Sequence, residues 1–502
     1  MAATDTPPHA TFDWKYPLLL LILACAAGAF VIEPQSFWID EANTALHAVQ
    51  PTLPAWRDSL HRAGSDAQMP IYMFYTWVWE KISGPGEWQL RLSNLPWLVL
   101  ALLAIPRQQT SFRVVFLVSP FVWYYLDELR PYLMQIGAAM LILGSIWRLM
   151  ALHEQPGSST RENRLAAFFC LGLVLLSGSS LLGMIWGAAM VAMFAMLFTG
   201  IRTVQLARKN LPFVLPVAFL LCLLALYYCW TIQQGCGATA GTTNIQSTVF
   251  SFYEMMGLAG LGPGRTQLHA EGVAPLRPYI PLLAVHAMVT FCVLILGAKH
   301  VFQKTPRRVW SSALMVLGST TVLLLILGIL KNFRVLGRHF SPLEPVLLWV
   351  LAVGVRESWL RGGYWKIIAA SFIIFCLASG LELRFASRHA KDDYRDAAAI
   401  AMAASQQGKQ VWWCADANAG RFYRVPLAPW PQPSAPGQVR EVINQPLDTG
   451  KLLISNKTPP DLIALSKPEI YDQRGALRTY LRDHHYQLLQ TLPAFTFWRK
   501  PE

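Results

Sequence analysis

The chain has 502 residues, of which 54% are hydrophobic and only 14% are charged, and its formal net charge is +13 at pH 7. Because a soluble domain carries about 25% charged residues, this composition excludes an ordinary soluble enzyme and predicts a chain that lies mostly in lipid. The basic excess would also suit a nucleic-acid-binding protein, but the basic residues cluster in alternate connections between apolar segments. That arrangement indicates membrane topology, and we expect no nucleic-acid partner.

Eleven apolar segments are candidate membrane spans. They lie near residues 16–32, 88–105, 113–126, 131–150, 165–181, 183–201, 211–231, 280–298, 310–330, 342–355 and 366–383. Basic residues mark the N-terminal segment 1–15 and alternate connections, at Lys15; Arg107 and Arg113; Arg148, Arg161 and Arg164; Arg202, Arg208 and Lys209; Lys299, Lys304, Arg307 and Arg308; Arg356, Arg361 and Lys366. The positive-inside rule makes these connections cytoplasmic. The sequence therefore predicts an α-helical multi-pass membrane domain over 16–383, with the N-terminus in the cytoplasm and the C-terminal segment outside.

The first external loop, 33–87, carries the chemical feature of greatest interest, the adjacent carboxylates Asp40 and Glu41. If 39–49 is helical, Asp40, Thr44 and His47 share one polar face with Asn43, whereas Glu41 points about 100° away. We expect Asp40 to be a reacting base and Glu41 to support it. The alternative is an interfacial helix whose acids are only solvated. The apolar stretch 69–82 of the same loop is interpreted as a juxtamembrane or re-entrant helix, because counting it as a span would invert every later basic connection.

The second external connection is very short and contains Asp127, Glu128, Arg130 and Tyr132. Ionisable groups at this depth are costly and are usually functional or paired. A salt bridge from Asp127 or Glu128 to Arg130 that closes the turn is the structural alternative.

The third external loop places Glu254 ahead of a glycine-rich stretch that ends at Arg265. Glycine-rich backbone can form an anion-binding nest, and a flexible surface loop is the alternative. Both side chains are kept as possible substrate contacts.

The connection after the ninth predicted span is basic, with Lys331, Arg334, Arg338 and His339, yet the topology puts it outside. We expect its cations to bind an anionic lipid phosphate, because arginine offers bidentate, charge-assisted hydrogen bonds to phosphate. Neutralisation of Arg338 by Glu344 is the alternative.

The segment 384–502 is polar and reads as a separate unit. An alanine-rich helix opens at 392–396, strand-like segments follow at 410–414, 451–455 and 495–498, and a helix lies near 473–483. This alternation predicts a small extracytoplasmic α/β domain.

The eight cysteines show no metal-like spacing. Cys236 and Cys414 are the two predicted to be external, and whether they form a disulfide is left open. We expect no cofactor and no metal. A divalent ion shared by Asp40, Glu128 and His47 is the alternative left open.

Taken in order, several short motifs resemble a known family. They are the external Asp40-Glu41 pair, the Pro70-Ile71-Tyr72 helix, the stretch Gly86 to Leu92, the Glu128-Leu129-Arg130-Pro131-Tyr132 turn and Arg338-His339-Phe340. Together they resemble the GT-C membrane glycosyltransferases of bacterial family 39, which include protein O-mannosyltransferases and the lipid A aminoarabinose transferase. The resemblance covers roughly 16–383, and the tail is similar only to external α/β domains of some members.

The resemblance implies an inverting transfer of a sugar from a polyprenyl-phosphate donor to a glycolipid, polysaccharide or protein acceptor. The reaction is expected at the outer face of the bacterial cytoplasmic membrane. The base of the family corresponds to Asp40, its neighbouring acid to Glu41, the second-loop acid and arginine to Glu128 and Arg130, and the phosphate-binding turn to Arg338. The residues expected to bind the donor phosphate or the substrate are Glu128, Arg130, Tyr132, Lys331, Arg334, Arg338 and His339. Asp127, His47 and Tyr72 are kept as possible substrate contacts, as are Glu254 and Arg265. Gln68-Met69-Pro70-Ile71-Tyr72 departs from the His-Pro-Pro-Leu-Tyr common in members, so the resemblance does not extend to the contact made by that histidine.

Two other classes of function compete with a transferase. A flippase or transporter of a lipid-linked glycan typically shows repeats and ionisable residues at the bilayer midplane. Here the acids gather at the outer boundary. A non-catalytic scaffold would leave the basic external turn without a purpose.

Overall fold

A computed structural model of the chain describes residues 15–61, 64–153, 159–198, 200–237, 241–428, 438–442, 459–472 and 474–501. Most of these residues are helical, and the only sheet within the described ranges lies in the C-terminal part. In chain order the helices are α1 Lys15–Val31, α2 Ile39–Ala48, α3 Leu53–His61, α4 Pro70–Ser83, α5 Glu87–Arg91, α6 Leu95–Ala104, α7 Thr110–Val118, α8 Pro120–Leu126, α9 Tyr132–His153, α10 Ser159–Ser179, α11 Leu181–Leu197, α12 Gly200–Lys209, α13 Leu211–Gln233, α14 Ile245–Met255, α15 Arg265–Glu271, α16 Ile280–Lys304, α17 Arg307–Leu330, α18 Glu344–Arg361, α19 Tyr364–Phe385, α20 Tyr394–Gln406 and α21 Ala417–Phe422. Two further helices, Pro468–Tyr471 and Ala476–Asp483, follow in the tail.

Five helical segments among the described residues are long and apolar enough to cross a membrane, so the chain is a multi-pass membrane protein. They are Tyr132–Leu152, Leu211–Gln233, Ala274–Lys304, Arg307–Leu330 and Tyr364–Phe385. Helices also lie at the other six predicted positions, but they are shorter, broken or more polar. The total of eleven spans therefore stays a prediction.

Two predicted spans are each divided in the structure, and proline explains one division directly. The predicted span 113–126 is split between α7 and α8 because Pro120 lacks an amide hydrogen and cannot continue α7. Ser119 instead caps α8 by accepting a hydrogen bond from the amide of Val122, and Pro120 takes the first helical position. The predicted span 88–105 is likewise divided into α5, the 3-10 turn Leu92–Asn94 and α6.

Helix α9 forms the centre of the buried core and packs closely against its neighbours. Gly137 and Gly144 allow this approach: a Cβ at these positions would lie 2.8 Å from the carbonyl oxygen of Trp97 and 2.5 Å from that of Ala104. Small residues at such contacts let membrane helices pack backbone against backbone. The N-terminal end of α9, at Tyr132, is thereby fixed beside α6 and the loop that precedes it.

The tail forms a six-stranded sheet flanked by helices, as the alternating pattern predicts. The strands are β1 Val411–Cys414, β2 Leu427–Ala428, β3 Val439–Glu441, β4 Leu462–Ser466, β5 Gln487–Thr491 and β6 Phe495–Arg499. Their order is β2-β3-β1-β4-β6-β5; the first four are parallel, and β6 and β5 each run antiparallel to their neighbours. The helix and strands predicted near 392, 410, 473 and 495 are present, whereas the strand predicted at 451–455 lies outside the described residues.

Candidate active site

Helix α2 presents the two neighbouring carboxylates to different surroundings. Glu41 lies in the first turn, where its side chain accepts a hydrogen bond from the amide of Trp38 and favours the helix start. Glu41 is fully buried, whereas the Asp40 side chain remains 30% exposed. The helical spacing thus separates an accessible acid from an inaccessible one.

Asp40 forms an ion pair with Arg338, which is 298 positions further along the chain. The Nη1 atom of Arg338 lies 2.9 Å from Oδ2 of Asp40, and its guanidinium lies 5.9 Å from the ring of Trp38 and 5.8 Å from that of Tyr132. Burial raises the pKa of Asp40, but the charges of Arg338 and Arg130 outweigh it and leave the pKa below its usual value. Asp40 is therefore ionised, and the first loop and the basic connection meet in one place.

Arg130 joins the polar face of α2 to an acid that the sequence analysis missed. Its Nη1 atom donates to Oδ1 of Asp66 and Oγ1 of Thr44, both at 2.9 Å, and to the carbonyl oxygen of Asp40 at 3.1 Å. His47 lies 3.7 Å from the same Asp66 carboxylate and 2.7 Å from Oγ of Ser59. The turn-closing bridge from Arg130 to Asp127 or Glu128 is absent from the described contacts, since Arg130 uses Asp66 instead.

The buried Glu41 belongs to a four-residue charge cluster, which we call the support cluster: Glu41, Arg91, Asp127 and Lys391. Nε and Nη2 of Arg91 each donate to Glu41 at 2.8 Å, and the amide of Leu129 donates to it at 2.9 Å. Lys391 lies 3.3 Å from Glu41 and 3.1 Å from Asp127. The cluster ties the first two external loops to the start of the C-terminal tail, and sequence reasoning assigned no role to Arg91 or Lys391.

Glu128 differs from every other acid of the site. Its side chain is 1% exposed, and neither carboxylate oxygen has a hydrogen-bond partner among the described residues. Its backbone is fixed, because Nδ2 of Asn94 donates to its carbonyl oxygen at 2.7 Å. Burial raises the pKa of Glu128 to about 7, while the charge of Arg265 acts in the opposite direction. Near neutral pH this carboxyl is partly protonated.

The loop predicted as the third external loop contributes a further arginine–carboxylate pair, whose arginine acts on Glu128 through its charge. Nη2 of Arg265 lies 2.6 Å from Oε1 of Glu254, and Nη1 lies 2.5 Å from the hydroxyl of Tyr124. The other carboxylate oxygen of Glu254 accepts the amide of Gly337 at 3.2 Å. Glu254 and Arg265 therefore hold the basic turn from behind.

Four further predicted site residues are His339, Lys331, Arg334 and Tyr72. His339 is neutral and structural: its Nδ1 accepts the amide of Leu336 at 3.0 Å, and burial lowers its pKa to about 3. Lys331 is exposed, and Arg334 is half-buried beside Gly241; neither joins the Asp40 pair among the described contacts. Tyr72 is buried, and its hydroxyl has no hydrogen-bond partner in the described ranges.

The structure also gives the surroundings of Glu344 and the state of the two cysteines that are predicted to be external. Glu344 is fully buried and lies 3.5 Å from Oγ of Ser119, so it does not neutralise Arg338. Cys236 and Cys414 are both free thiols, and Cys414 is buried in β1. In the ranges that the structure describes, no group of three His, Cys, Asp or Glu side chains could hold a metal ion.

The C-terminal tail contacts the outer side of α2. Nδ2 of Asn418, on α21, donates to Oδ1 of Asn43 at 2.8 Å, and the amide of Phe37 donates to the hydroxyl of Tyr423 at 2.7 Å. Lys467, at the end of β4, contributes electrostatically to Asp40. The tail therefore packs against α2 and the residues just before it, close to Asp40.

Comparison with known proteins gives a likeness of structure only. No family model matches the chain, and no curated protein matches its sequence. The apo crystal structure of ArnT from Cupriavidus metallidurans is 12% identical, with a TM-score of 0.51 over 97% of this chain and 98% of that chain. ArnT bound to undecaprenyl phosphate, also 12% identical, has a TM-score of 0.49 over the same shares. Arabinofuranosyltransferase AftD from Mycobacteria, at 14% identity and a TM-score of 0.47, is matched over 97% of this chain and 40% of its own. The likeness to the apo structure confirms the fold that the motifs predict, and this chain has the GT-C fold.

Proposed function

We propose that the chain is an inverting glycosyltransferase that takes its sugar from a polyprenyl-phosphate donor at the outer face of the bacterial cytoplasmic membrane. The acceptor is a hydroxyl group of a glycolipid, a polysaccharide or a protein. The observation that carries the proposal is the 2.9 Å pair between Asp40 and Arg338, which joins a proton acceptor to a phosphate-binding cation. The GT-C fold supports the class, although a fold alone does not define an activity.

The two members of the pair have complementary tasks in a single displacement. The donor phosphate competes with Asp40 for the guanidinium of Arg338, so donor binding releases the Asp40 carboxylate. The oxygen of the acceptor hydroxyl then attacks the anomeric carbon, and Asp40 accepts the proton of that hydroxyl. General base catalysis of this kind accelerates a reaction by about 10²–10⁴-fold. The bond from the anomeric carbon to the phosphate oxygen breaks, and its electron pair leaves with the lipid phosphate.

Fixed positive charge at the leaving phosphate is the second requirement. Preorganised charges of this kind often contribute most to catalysis, because they need no rearrangement during the reaction. Arg338 supplies the charge, and Glu254 and Arg265 hold its turn in place. Arg130 positions the Asp40 backbone, so Thr44, His47 and Asp66 serve as positioning residues.

Donor binding provides the first test. The purified protein in detergent should bind undecaprenyl phosphate. Arg338→Ala should raise the dissociation constant about 10- to 100-fold, because one charged phosphate contact is lost. Arg277→Ala, an exposed arginine of the third external loop, is the matched control and should bind normally. An unchanged dissociation constant for Arg338→Ala would contradict the assignment.

The acceptor and sugar are sought in cells. Mass spectrometry of surface glycolipids and glycoproteins from a gene-deletion strain should show a missing sugar, restored by the intact gene. Liposomes distinguish the competing class, because a flippase relocates the lipid-linked sugar without attaching it to an acceptor.

A further inference from the structure

The unpaired carboxyl of Glu128 is the feature that the proposed mechanism leaves without a task. Each surrounding acid already has a cationic partner within 4 Å. The pairs are Asp40–Arg338 at 2.9 Å, Glu41–Arg91 at 2.8 Å, Asp66–Arg130 at 2.9 Å, Asp127–Lys391 at 3.1 Å and Glu254–Arg265 at 2.6 Å. Glu128 makes neither an ion pair nor a hydrogen bond through its side chain with any described residue. These five acids and five cations balance, so an ionised Glu128 would be a sixth and uncompensated negative charge in a buried place.

Burying an uncompensated carboxylate is costly, and a group in that position becomes neutral instead. The titratable and charged groups that face Glu128 are Arg265 from α15, Glu41 from α2, Arg338 from the basic turn, Lys391 from the start of the tail, and Tyr72, Tyr124, Tyr125 and Tyr132. Burial is the largest influence and raises the pKa of Glu128 to about 7. The cations among these groups do not reverse the effect because each is already paired.

The Nε atom of Arg338 is another unmatched atom of the same site. It is buried and has no hydrogen-bond partner among the described residues, although the Nη1 atom of Arg338 reaches Asp40. A neutral carboxyl group offers one O–H donor. The site therefore contains several donors that lack an acceptor in the described ranges. Among them are the Nε–H of Arg338 and the O–H of neutral Glu128, and the others include the Nε–H of Arg130 and the hydroxyls of Tyr72 and Tyr125. A phosphate group, which is an acceptor through every free oxygen, can accept from Arg338 and Glu128 together.

We propose that Glu128 binds the donor as a protonated acid, donating a hydrogen bond from its carboxyl O–H to a phosphate oxygen held by Arg338. The inference rests on the proposed function and names the form of the site that accepts the donor. Ionised Glu128 would repel the phosphate and would have no proton to donate. Donor affinity should therefore fall as the pH rises through the pKa of Glu128.

The test uses a ligand whose own charge does not change. Undecaprenyl methyl phosphate, a phosphodiester, keeps one negative charge throughout the range, whereas undecaprenyl phosphate titrates near neutrality. The dissociation constant of the phosphodiester is measured with the purified full chain between about pH 5.5 and about pH 9. If only the neutral form binds, affinity should be constant at the acidic end and should weaken by about tenfold per pH unit above pH ~7.

Two substitutions isolate the proton. Glu128→Gln keeps a donor that cannot ionise, so its affinity should equal the acidic value of the unaltered chain and should not change with pH. Glu128→Leu removes the donor, so the affinity at low pH should drop while the protein still elutes as a single species. Glu271→Gln, which changes an exposed carboxylate of α15, should leave the pH dependence intact.

The outcomes separate the inference from the function on which it rests. Absence of binding at every pH would overturn the proposed function and this inference with it. Binding that does not depend on pH in the unaltered chain, or a pH dependence that survives Glu128→Gln, would overturn the role of Glu128 alone. If Glu128→Gln does not fold, an unchanged low-pH affinity in Glu128→Leu would do the same.

Discussion

Asp40 and Glu41 are adjacent carboxylates, and one step along the helix gives them different surroundings. A step of about 100° turns Asp40 toward the open side of the site and Glu41 into the support cluster. The two side chains then differ in exposure and in their partners. Asp40 is partly exposed and pairs with one arginine, Arg338. Glu41 is buried and is held by Arg91, Lys391 and a backbone amide. Of the two acids only Asp40 has exposed side-chain surface, and the proposed function therefore assigns the base to Asp40.

The proposed base is tested by a neutral, isosteric change. Asp40→Asn should lower the rate of sugar transfer by about 10²–10⁴-fold, because the amide cannot accept the proton of the acceptor hydroxyl. The side-chain volume is unchanged. Turnover of the sugar donor is measured in membranes, with the amount of protein verified by immunoblot. Asp396→Asn alters an acid on α20 whose side chain is 63% exposed and should leave the rate unchanged. Near-normal turnover of Asp40→Asn would refute its role as base.

At the residue level, the sequence offered a signal where a helical repeat or a basic run marked the position, and the roles assigned to these residues stay predictions. The spacing of Asp40, Thr44 and His47 and the unusual charge of the Arg338 turn were both visible in the chain. Asp66 was not visible, because it lies in the 3-10 turn Gly64–Gln68 and belongs to no periodic pattern. Its importance arises only from the distance to Arg130.

At the scale of secondary-structure elements, the support cluster holds separate loops in one arrangement. Residues from α2, α5, the second external connection and the segment before α20 meet there, and Glu41 and Arg91 have no exposed side-chain surface. Buried pairs of this kind contribute little over an apolar substitute, but removing one partner strands the other charge.

Arg91→Met should therefore destabilise the protein by about 3–5 kcal/mol, because Glu41 is left buried beside Asp127 with less positive charge. Thermal unfolding in detergent measures the change. Arg57→Met, at a side chain that is 64% exposed, should have almost no effect. The double change Glu41→Gln with Arg91→Met should cost less than the sum of the two single changes, since the stranded charge is then absent. Strict additivity would contradict the pairing.

Helix positions were largely predictable because apolar runs and prolines are local signals. The breaks at α7–α8 and α5–α6 were less so, since each half of a broken helix remains apolar and reads as one run. The support cluster was hidden for another reason. Lone charges such as Arg91 and Lys391 gain their meaning from partners in other loops.

At the scale of the whole molecule, the distribution of basic residues predicts which connections face the cytoplasm and which face the outside. The length and composition of the helices do not show this orientation, so it stays a prediction. The contacts between α2, the Arg338 turn and the tail require all three to lie on one side of the membrane. The basic connections that follow Lys304 and Arg361 are then predicted to lie on the other side.

Reporter fusions test this arrangement. Alkaline phosphatase joined after Phe340 or after Lys500 should be active, because both positions are predicted to face the outside. Fusion after Lys304 should be inactive, and a cytoplasmic reporter at that point should fluoresce. Activity after Lys304 together with inactivity after Phe340 would invert the topology and separate Asp40 from its donor.

The pairing of Asp40 with Arg338 has a consequence for the order in which the protein is made. Ribosomes add about 5–20 residues per second, so roughly 15–60 s elapse between the synthesis of these two residues. In the predicted topology, Asp40 is delivered to the outside during that interval, before Arg338 has been synthesised. Under the proposed function, a nascent chain that still lacks Arg338 has no cation for the donor phosphate, and competence to bind the donor arrives only after the segment that carries Arg338 has been made.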